Sequence, residues 1–542
     1  MKLYLSPEAC PQLPDLLALA ADHAAAREYD RALDLYSRAL ELLFALDHGP
    51  GVLEQKSAVR NVRADLLVGR GLWQQALEEL DRVLAAQGDL ADPSLVISAR
   101  AIQAQVHGVY GEYDEALQAL EAAMALARTL EDSREEARVQ GQLGALQARL
   151  GAHRPAQEAL RRVLDLVPDP PPDPESAVLR AAALTQLGLA AFRGGQAEVA
   201  RDLYQQSLDV LGRWGLDTEV EAETRRYMGV LSTVRGRFGE ALRHHREALR
   251  IALRNRMPLA RAKVYNSLGQ TCLDMSRLDD ALLFMQKAEV LCLELGADAE
   301  LAAIYGKLGF IFLQREDYPR AVELHRRDVE LSRRFGNLRA LAFSIRNLGL
   351  SLRARGLLEE AGRHLQDALQ RFDELRDLGF VVRVHLDLAE VWLDRGDLPE
   401  AEESLVRARA LMHVDSPDTD RARLWLLTGT LNRLRQHWSD SREAYLEALR
   451  ILADFGPTGA LAQVRFELGQ LHDEARDTEQ AIYHLRACLD LARQLGMTHL
   501  ARKAIRLLER LDEVELVDFL IGELEGTGEV EPEPGGAGTA PA

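Results

Sequence analysis

No apolar run in this chain approaches the ~20 residues needed to span a bilayer. The segment from Met1 to Pro14 has one lysine and several polar breaks where a secretion signal requires an unbroken apolar stretch. A soluble, cytoplasmic protein is the expectation. Cysteine is equally scarce. Cys10, Cys272, Cys292 and Cys488 are the four among 542 residues, and none belongs to a C-x-x-C pair. That excludes a disulfide framework and reads as small hydrophobes buried in a reducing compartment. Valine, isoleucine and threonine are thin and aromatic residues are only 6%, so a sheet has little to build on. Positive charge is also in deficit. With 66 basic against 85 acidic residues the balance is −19, and most of the surface repels phosphate backbones. Nucleic acid is not an expected partner.

Motifs that carry chemistry are missing as well. There is no G-x-x-x-x-G-K-[ST] phosphate loop, no G-x-S-x-G elbow and no H-E-x-x-H. His244-His245 is the one adjacent histidine pair. Neighbours on a helix point about 100° apart, so the pair reads as wet helix surface and not as a metal site. Acidic residues fall at turn starts and exposed helical faces, with no pair placed for acid–base work. No catalytic residue, cofactor or metal is expected, and the chain does not read as an enzyme.

The chain has helix formers in abundance, repeated at a fixed interval. Ala, Leu, Glu and Arg dominate the stretches between Gly and Pro. A length of 542 residues is too great for one compact core, but a repeat array grows in one dimension and escapes that limit. The period is 40. Ala241, Ala281, Ala321, Ala361, Ala401, Ser441 and Ala481 form one column of small residues. Gly229, Gly269, Gly309, Gly349, Ala389, Gly429 and Gly469 form a second. Ala248, Ala288, Asp328, Ala368, Ala408, Ala448 and Cys488 form a third. Small residues in register mark places where two helices cross closely, and a mid-helix Gly needs such a packing reason. The Gly column lies in the first helix of each pair. The first Ala column opens the second helix, and the other, seven residues on, shares its face.

Turns such as Gly236-Arg237-Phe238-Gly239, Glu316-Asp317-Tyr318-Pro319 and Gly396-Asp397-Leu398-Pro399 separate the helices, with Gly ending one and Pro tolerated in the first turn of the next. Looser copies run upstream to Tyr29-Asp30-Arg31-Ala32-Leu33, with enlarged loops at His48-Gly49-Pro50-Gly51 and at the proline-rich stretch after Val167. The expected organisation is about four repeats in 1–167, a Pro-rich inter-repeat loop at 168–175 and about eight further repeats in 176–511, closed by a capping helix from Thr498 to Leu511. A short helix at 512–524 and a disordered Gly/Pro/Glu tail at 525–542 complete it. The fold class is all-α, a solenoid of about twelve helix-turn-helix units.

The unit resembles the tetratricopeptide repeat. Tyr265-x2-Leu268-Gly269, Tyr305-x2-Leu308-Gly309-x2-Phe312, Trp425-x2-Thr428-Gly429 and the Ser441-x3-Tyr445 step carry the resemblance, although the closing Pro of each unit is missing and the period is 40 rather than 34. The longer unit, with Asn347-Leu348-Gly349, looks like the repeats of kinesin light chain and of bacterial regulators with helical sensor arrays. The resemblance implies a right-handed superhelix whose first helices line a concave groove that binds peptides or helices.

The resemblance also places a stripe in that groove. Ala342, Ile345, Gly349 and Leu352 are expected to pack inward, while Phe343, Arg346, Leu350 and Arg353 share another face. Steps of 40 add Lys263, Arg383 and Arg423 to the Phe343 column, and Arg226 and Asn266 to the Arg346 column. The candidate groove residues are thus Arg226, Lys263, Asn266, Phe343, Arg346, Arg353, Arg383 and Arg423. Arginines between apolar sockets suit an acidic, apolar partner segment. Local pairing would occupy two of them: Arg383 has Asp387 one turn on, and Arg423 has Asp420 three residues before. Arg346 and Arg353 have no acid three or four residues away. Arg226 and Lys263 fall where some family members clamp a C-terminal carboxylate, but Val230 and Ser267 replace the Asn partners.

Two functions follow as expectations. One is a scaffold or adaptor that holds a protein or peptide partner in the groove. The other is a regulatory sensor whose array binds a small peptide or ligand and controls a separate effector. Self-association through an end repeat is compatible with either, since array ends expose apolar surface unless capped.

Overall fold

A computed structural model describes residues 4–511 apart from 6–9, 27, 47–50, 111, 131, 151, 335–337 and 414–415. The expected helix at 512–524, the tail at 525–542 and the His48-Gly49-Pro50-Gly51 loop up to Gly51 lie outside the described residues. Among those described, 25 α-helices and one 3-10 turn account for the regular structure, with no strand.

The helices form consecutive hairpins. The first four are α1 (Gln12–Ala25) with α2 (Tyr29–Phe44), α3 (Val52–Gly69) with α4 (Trp73–Ala85), α5 (Pro93–Tyr110) with α6 (Tyr113–Thr129), and α7 (Ser133–Arg149) with α8 (His153–Leu166). Next come α9 (Pro174–Arg193) with α10 (Ala197–Arg213), α11 (Glu219–Val234) with α12 (Phe238–Arg254), α13 (Pro258–Asp274) with α14 (Leu278–Leu295), and α15 (Asp298–Gln314) with α16 (Tyr318–Arg334). The chain continues through α17 (Leu338–Ala354) and α18 (Leu358–Glu374), and the last hairpins are α19 (Leu378–Arg395) with α20 (Leu398–Leu411), α21 (Asp418–Leu434) with α22 (Trp438–Leu452), and α23 (Gly459–Glu474) with α24 (Thr478–Gln494). A lone α25 (Thr498–Arg510) covers the end, burying Leu500, Ala504 and Leu508 against Phe466, Leu485 and Leu489. Helical hairpins in series and a capping helix make an α-solenoid, as the repeat period implies. First helices also pack on one another, α11 on α13 and α7 on α9 among them.

The small-residue columns have a specific cause. At Gly229, Gly269, Gly309, Gly429 and Gly469 of the column, the first helix receives one large side chain from the second helix of its own pair, sixteen positions on. A Cβ on Gly269 would lie 2.6 Å from Met285 Cε, one on Gly309 2.5 Å from the His325 ring, one on Gly429 2.5 Å from Tyr445 and one on Gly469 2.6 Å from Leu485. Gly188 meets Tyr204 in the same way. The receiving Gly sets the backbone spacing, and the knob fills it. His245 is the knob at Gly229 and is fully buried. This corrects the expectation that His244-His245 is wet surface. The second helix turns one histidine of the pair into the core, where burial drives its pKa down to about 3.

The turns have a period of their own. Gly236, Ser276, Glu316, Gly356, Gly396, Gln436 and Arg476 all hold positive φ, between 59° and 85°. Gly ends the helix without strain, while Glu316 and Arg476 hold the same left-handed backbone at a cost.

The chain divides into two compact units, Met1–Ser351 and Leu352–Ala542, with the division inside α17. The Pro-rich segment 168–173 connects α8 to α9 within the first unit.

Candidate functional site

In the first unit, consecutive first helices turn one face toward a common cavity of about 680 Å³. The helical step explains which residues reach it. Glu219, Glu223, Arg226 and Tyr227 succeed one another by 4, 3 and 1 on α11, and Lys263 and Asn266 stand three apart on α13. Glu300 from α15 and Arg193 from α9 complete the charged wall. Arg226 lies over Tyr227, its guanidinium carbon 4.1 Å from the ring centre. It also stands 3.6 Å from Glu223 and donates to the Ser267 hydroxyl at 3.5 Å. Lys263 Nζ is 3.8 Å from Glu300. Burial alone would discharge Lys263, but Glu300 and Glu223 outweigh it and hold its pKa above the ordinary lysine value.

A second cavity, about 910 Å³, adjoins the first, with Arg193, Ala299 and Glu300 lining both. Its wall includes Phe310 and Phe343, the bare backbone of Gly306, and Lys307, Asp328 and Asn347. Lys307 Nζ donates to Asn266 Oδ1 at 2.7 Å. Burial, with Arg226 adding to it, pulls this amine down to about 8.

The first cavity is closed on one side by a contact between distant hairpins. Gly71, in the α3–α4 turn at φ 77°, sits so tightly on the Leu295 carbonyl that a Cβ there would overlap it. Beside it Trp73 lines the cavity and lies against Gly296, and its indole Nε1 is buried with no hydrogen-bond partner. A contact between α5 and α15 lies alongside.

The predicted groove residues therefore fall into two groups. Arg226, Lys263 and Asn266 converge on the first cavity, and Phe343 lines the second. Arg346 lies half-buried on α17 with Phe343. Arg353, Arg383 and Arg423 belong to the second unit and bridge its first helices. Arg353 pairs with Glu390 and with Asp394, the latter at 2.6 Å. Arg423 meets Asp387 at 2.8 Å and Glu390 at 2.7 Å, and Arg383 meets Asp420 at 3.0 Å. The local pairs expected from sequence, Arg383 with Asp387 and Arg423 with Asp420, are thus exchanged for pairs between adjacent repeats. Leu386, in the same column as Asn266, is fully buried. In the second unit this stripe is largely knitted into the wall.

Sequence reasoning missed Glu223, Tyr227, Glu300, Lys307 and Asp328. Asp328 did carry a signal, as the one acid in its column of small residues. Among the described residues no group of three His, Cys, Asp or Glu side chains is placed to hold a metal, and no helix is long and apolar enough to cross a membrane.

Stacked helical hairpins whose first helices line a cavity define an α-solenoid of the helical-repeat class. The tetratricopeptide-repeat family model matches residues 96–169 and 300–374, and the chain carries tetratricopeptide repeats there. No curated protein matches it in sequence. Several solved structures are similar in part. The Cut9–Hcn1 hetero-tetramer of the APC/C matches at 15% identity with a TM-score of 0.49, over 92% of this chain and 91% of that one. The apo form of RapI matches at 15% with a TM-score of 0.46, over 51% and 99%. A signal transduction ATPase with a tetratricopeptide-repeat sensor from Pyrococcus horikoshii matches at 13% with a TM-score of 0.46, over 71% and 53%.

Proposed function

We propose that this protein is an interaction module that holds a short extended peptide, or a peptide-like segment of a protein partner, in the cavities of its first unit. One observation carries the reading. Two adjoining cavities of about 680 and 910 Å³ are lined by converging first helices and combine paired charges with apolar wall. Binding sites are typically concave and largely apolar, with a few placed polar groups, at ~300–1,000 Å³ each. Arg226 is already held rigid over Tyr227, so little side-chain freedom is lost when a ligand arrives.

The sensor reading has its own support. Trp73 belongs both to the cavity wall and to the closing contact with Gly296, so a ligand that moves this indole would reach the contact between hairpins. Any effector would then be a separate protein.

Pools of synthetic pentapeptides, added to the full chain and read by amide hydrogen exchange, test the proposal. Protection concentrated in α11, α13 and α15, and lost in Lys263→Gln/Asn266→Ala, is the expected result. Protection confined to second helices or to the second unit would overturn it.

A further inference from the structure

The second cavity contains a charge that packing does not explain. Asp328 stands in the column otherwise filled by Ala248, Ala288, Ala368, Ala408, Ala448 and Cys488, where its own repeat alone carries a carboxylate. It is 5% exposed. The residue facing it is also exceptional. Gly306 occupies a position held elsewhere by Arg226, Asn266, Arg346, Leu386, Leu426 and Phe466. A Cβ on Gly306 would lie 2.9 Å from Asp328 Oδ2. Two neighbouring helices thus depart from the repeat in complementary ways, one adding an acid and the other removing a side chain in front of it.

The carboxylate is oriented. The Ser332 hydroxyl donates to Oδ1 at 3.1 Å and stands 3.1 Å from the Ser344 hydroxyl of α17, which bonds the Ala340 carbonyl. Among the described residues no basic side chain lies within ion-pair distance of it. Lys307, next along α15 from Gly306, turns to Asn266 and forms no ion pair among the described residues either. Among the described residues, a carboxylate and an amine therefore line one cavity without an ion pair between them, Lys307 feeling Glu300 and Asp274 only from beyond ion-pair distance, and burial disfavours both in their charged forms, raising the acid to about 6 and lowering the amine to about 8. Phe310, 47% exposed, and Phe343 offer apolar wall beside them.

We propose that Asp328 is the counter-ion for a cationic group of the bound peptide, a guanidinium or amine that enters over Gly306, with Phe310 and Phe343 taking an adjacent apolar side chain and Lys307 receiving a carboxylate. The inference rests on the peptide-binding reading and specifies its ligand. It also accounts for an acid that lowers stability where Ala would serve, since binding sites commonly retain such groups.

The test uses the full chain and two pentapeptide pools, one with arginine fixed at the central position and one with citrulline, its neutral isostere, read by fluorescence anisotropy. The arginine pool is expected to bind at least about tenfold more tightly. Asp328→Ala, which restores the residue of the column, should erase that preference while melting at or above the wild-type temperature. Asp328→Asn, which keeps the Ser332 bond, should erase it too. Equal binding of both pools would overturn the role of Asp328 and leave peptide binding standing. Failure of both pools to bind would overturn both. Retention of the arginine preference in the two variants would reduce Asp328 to a bridge between α16 and α17.

Discussion

At the scale of the residue, the repeat is defined by what a glycine admits. His325 fills the space over Gly309 and is held there, with Nδ1 2.7 Å from the Ser351 hydroxyl and Nε2 3.1 Å from the Gly306 carbonyl. Gly309→Ala should therefore lower stability by about 1–3 kcal/mol through overpacking, although Ala is the better helix former. The matched change Gly239→Ala, with nothing within 4 Å of the new Cβ, should be neutral or stabilising by up to about 1 kcal/mol. Urea denaturation of the pair separates the two, and equal effects would disprove the knob-and-glycine account. The columns themselves were readable in the sequence because close helix approach leaves only small residues possible. The knobs were not, because Met285, His325, Tyr445 and Leu485 share neither charge nor chemistry, only a position.

Second helices carry the three most strongly depressed histidines of the described residues. His245 on α12, His325 on α16 and His484 on α24 are buried, and burial depresses their pKa values to about 3, about 4 and about 4. The folded chain then binds these protons later than the unfolded chain does. Stability is intact above the ordinary histidine pKa and is lost as pH falls from about 6.5 toward 4. Between pH 7 and pH 5 each histidine should remove about 1–2 kcal/mol. His325→Met, which installs the knob found at Met285, should flatten the dependence of melting temperature on pH without loss of the fold. A slope unchanged by that variant would assign the effect elsewhere. First helices of the second unit are joined instead by ion pairs such as Arg353–Asp394 and Arg423–Asp387. These escaped a search for acids three or four residues away, because their partners stand on the next repeat. Side chains that read as groove arginines serve in part as rungs between helices.

At the scale of the whole molecule, a one-dimensional repeat pattern specifies hairpins and their stacking but not where the stack meets itself. The meeting of Gly71 with Leu295 joins residues with no shared motif, so nothing in the period announces it. Gly71→Val should break it, since the added carbons overlap the carbonyl and the left-handed backbone disfavours a β-branched residue. Hydrogen exchange should then accelerate in the α3–α4 and α14–α15 turns while α17 is unaffected. Unchanged exchange at the Leu295 turn would show that the contact carries no weight.

That same contact bears on how the first unit assembles. An open stack of hairpins nucleates anywhere and grows by neighbour additions, each closing only a short loop. Bringing Gly71 onto Leu295 closes a loop through every hairpin between them, and its entropy is recovered only when all are in place. The closure raises the contact order of an otherwise local fold, so it should form late and slowly, after the hairpins themselves. Once formed, it removes the independence of the repeats it encloses, and fraying of one of them is resisted by the rest.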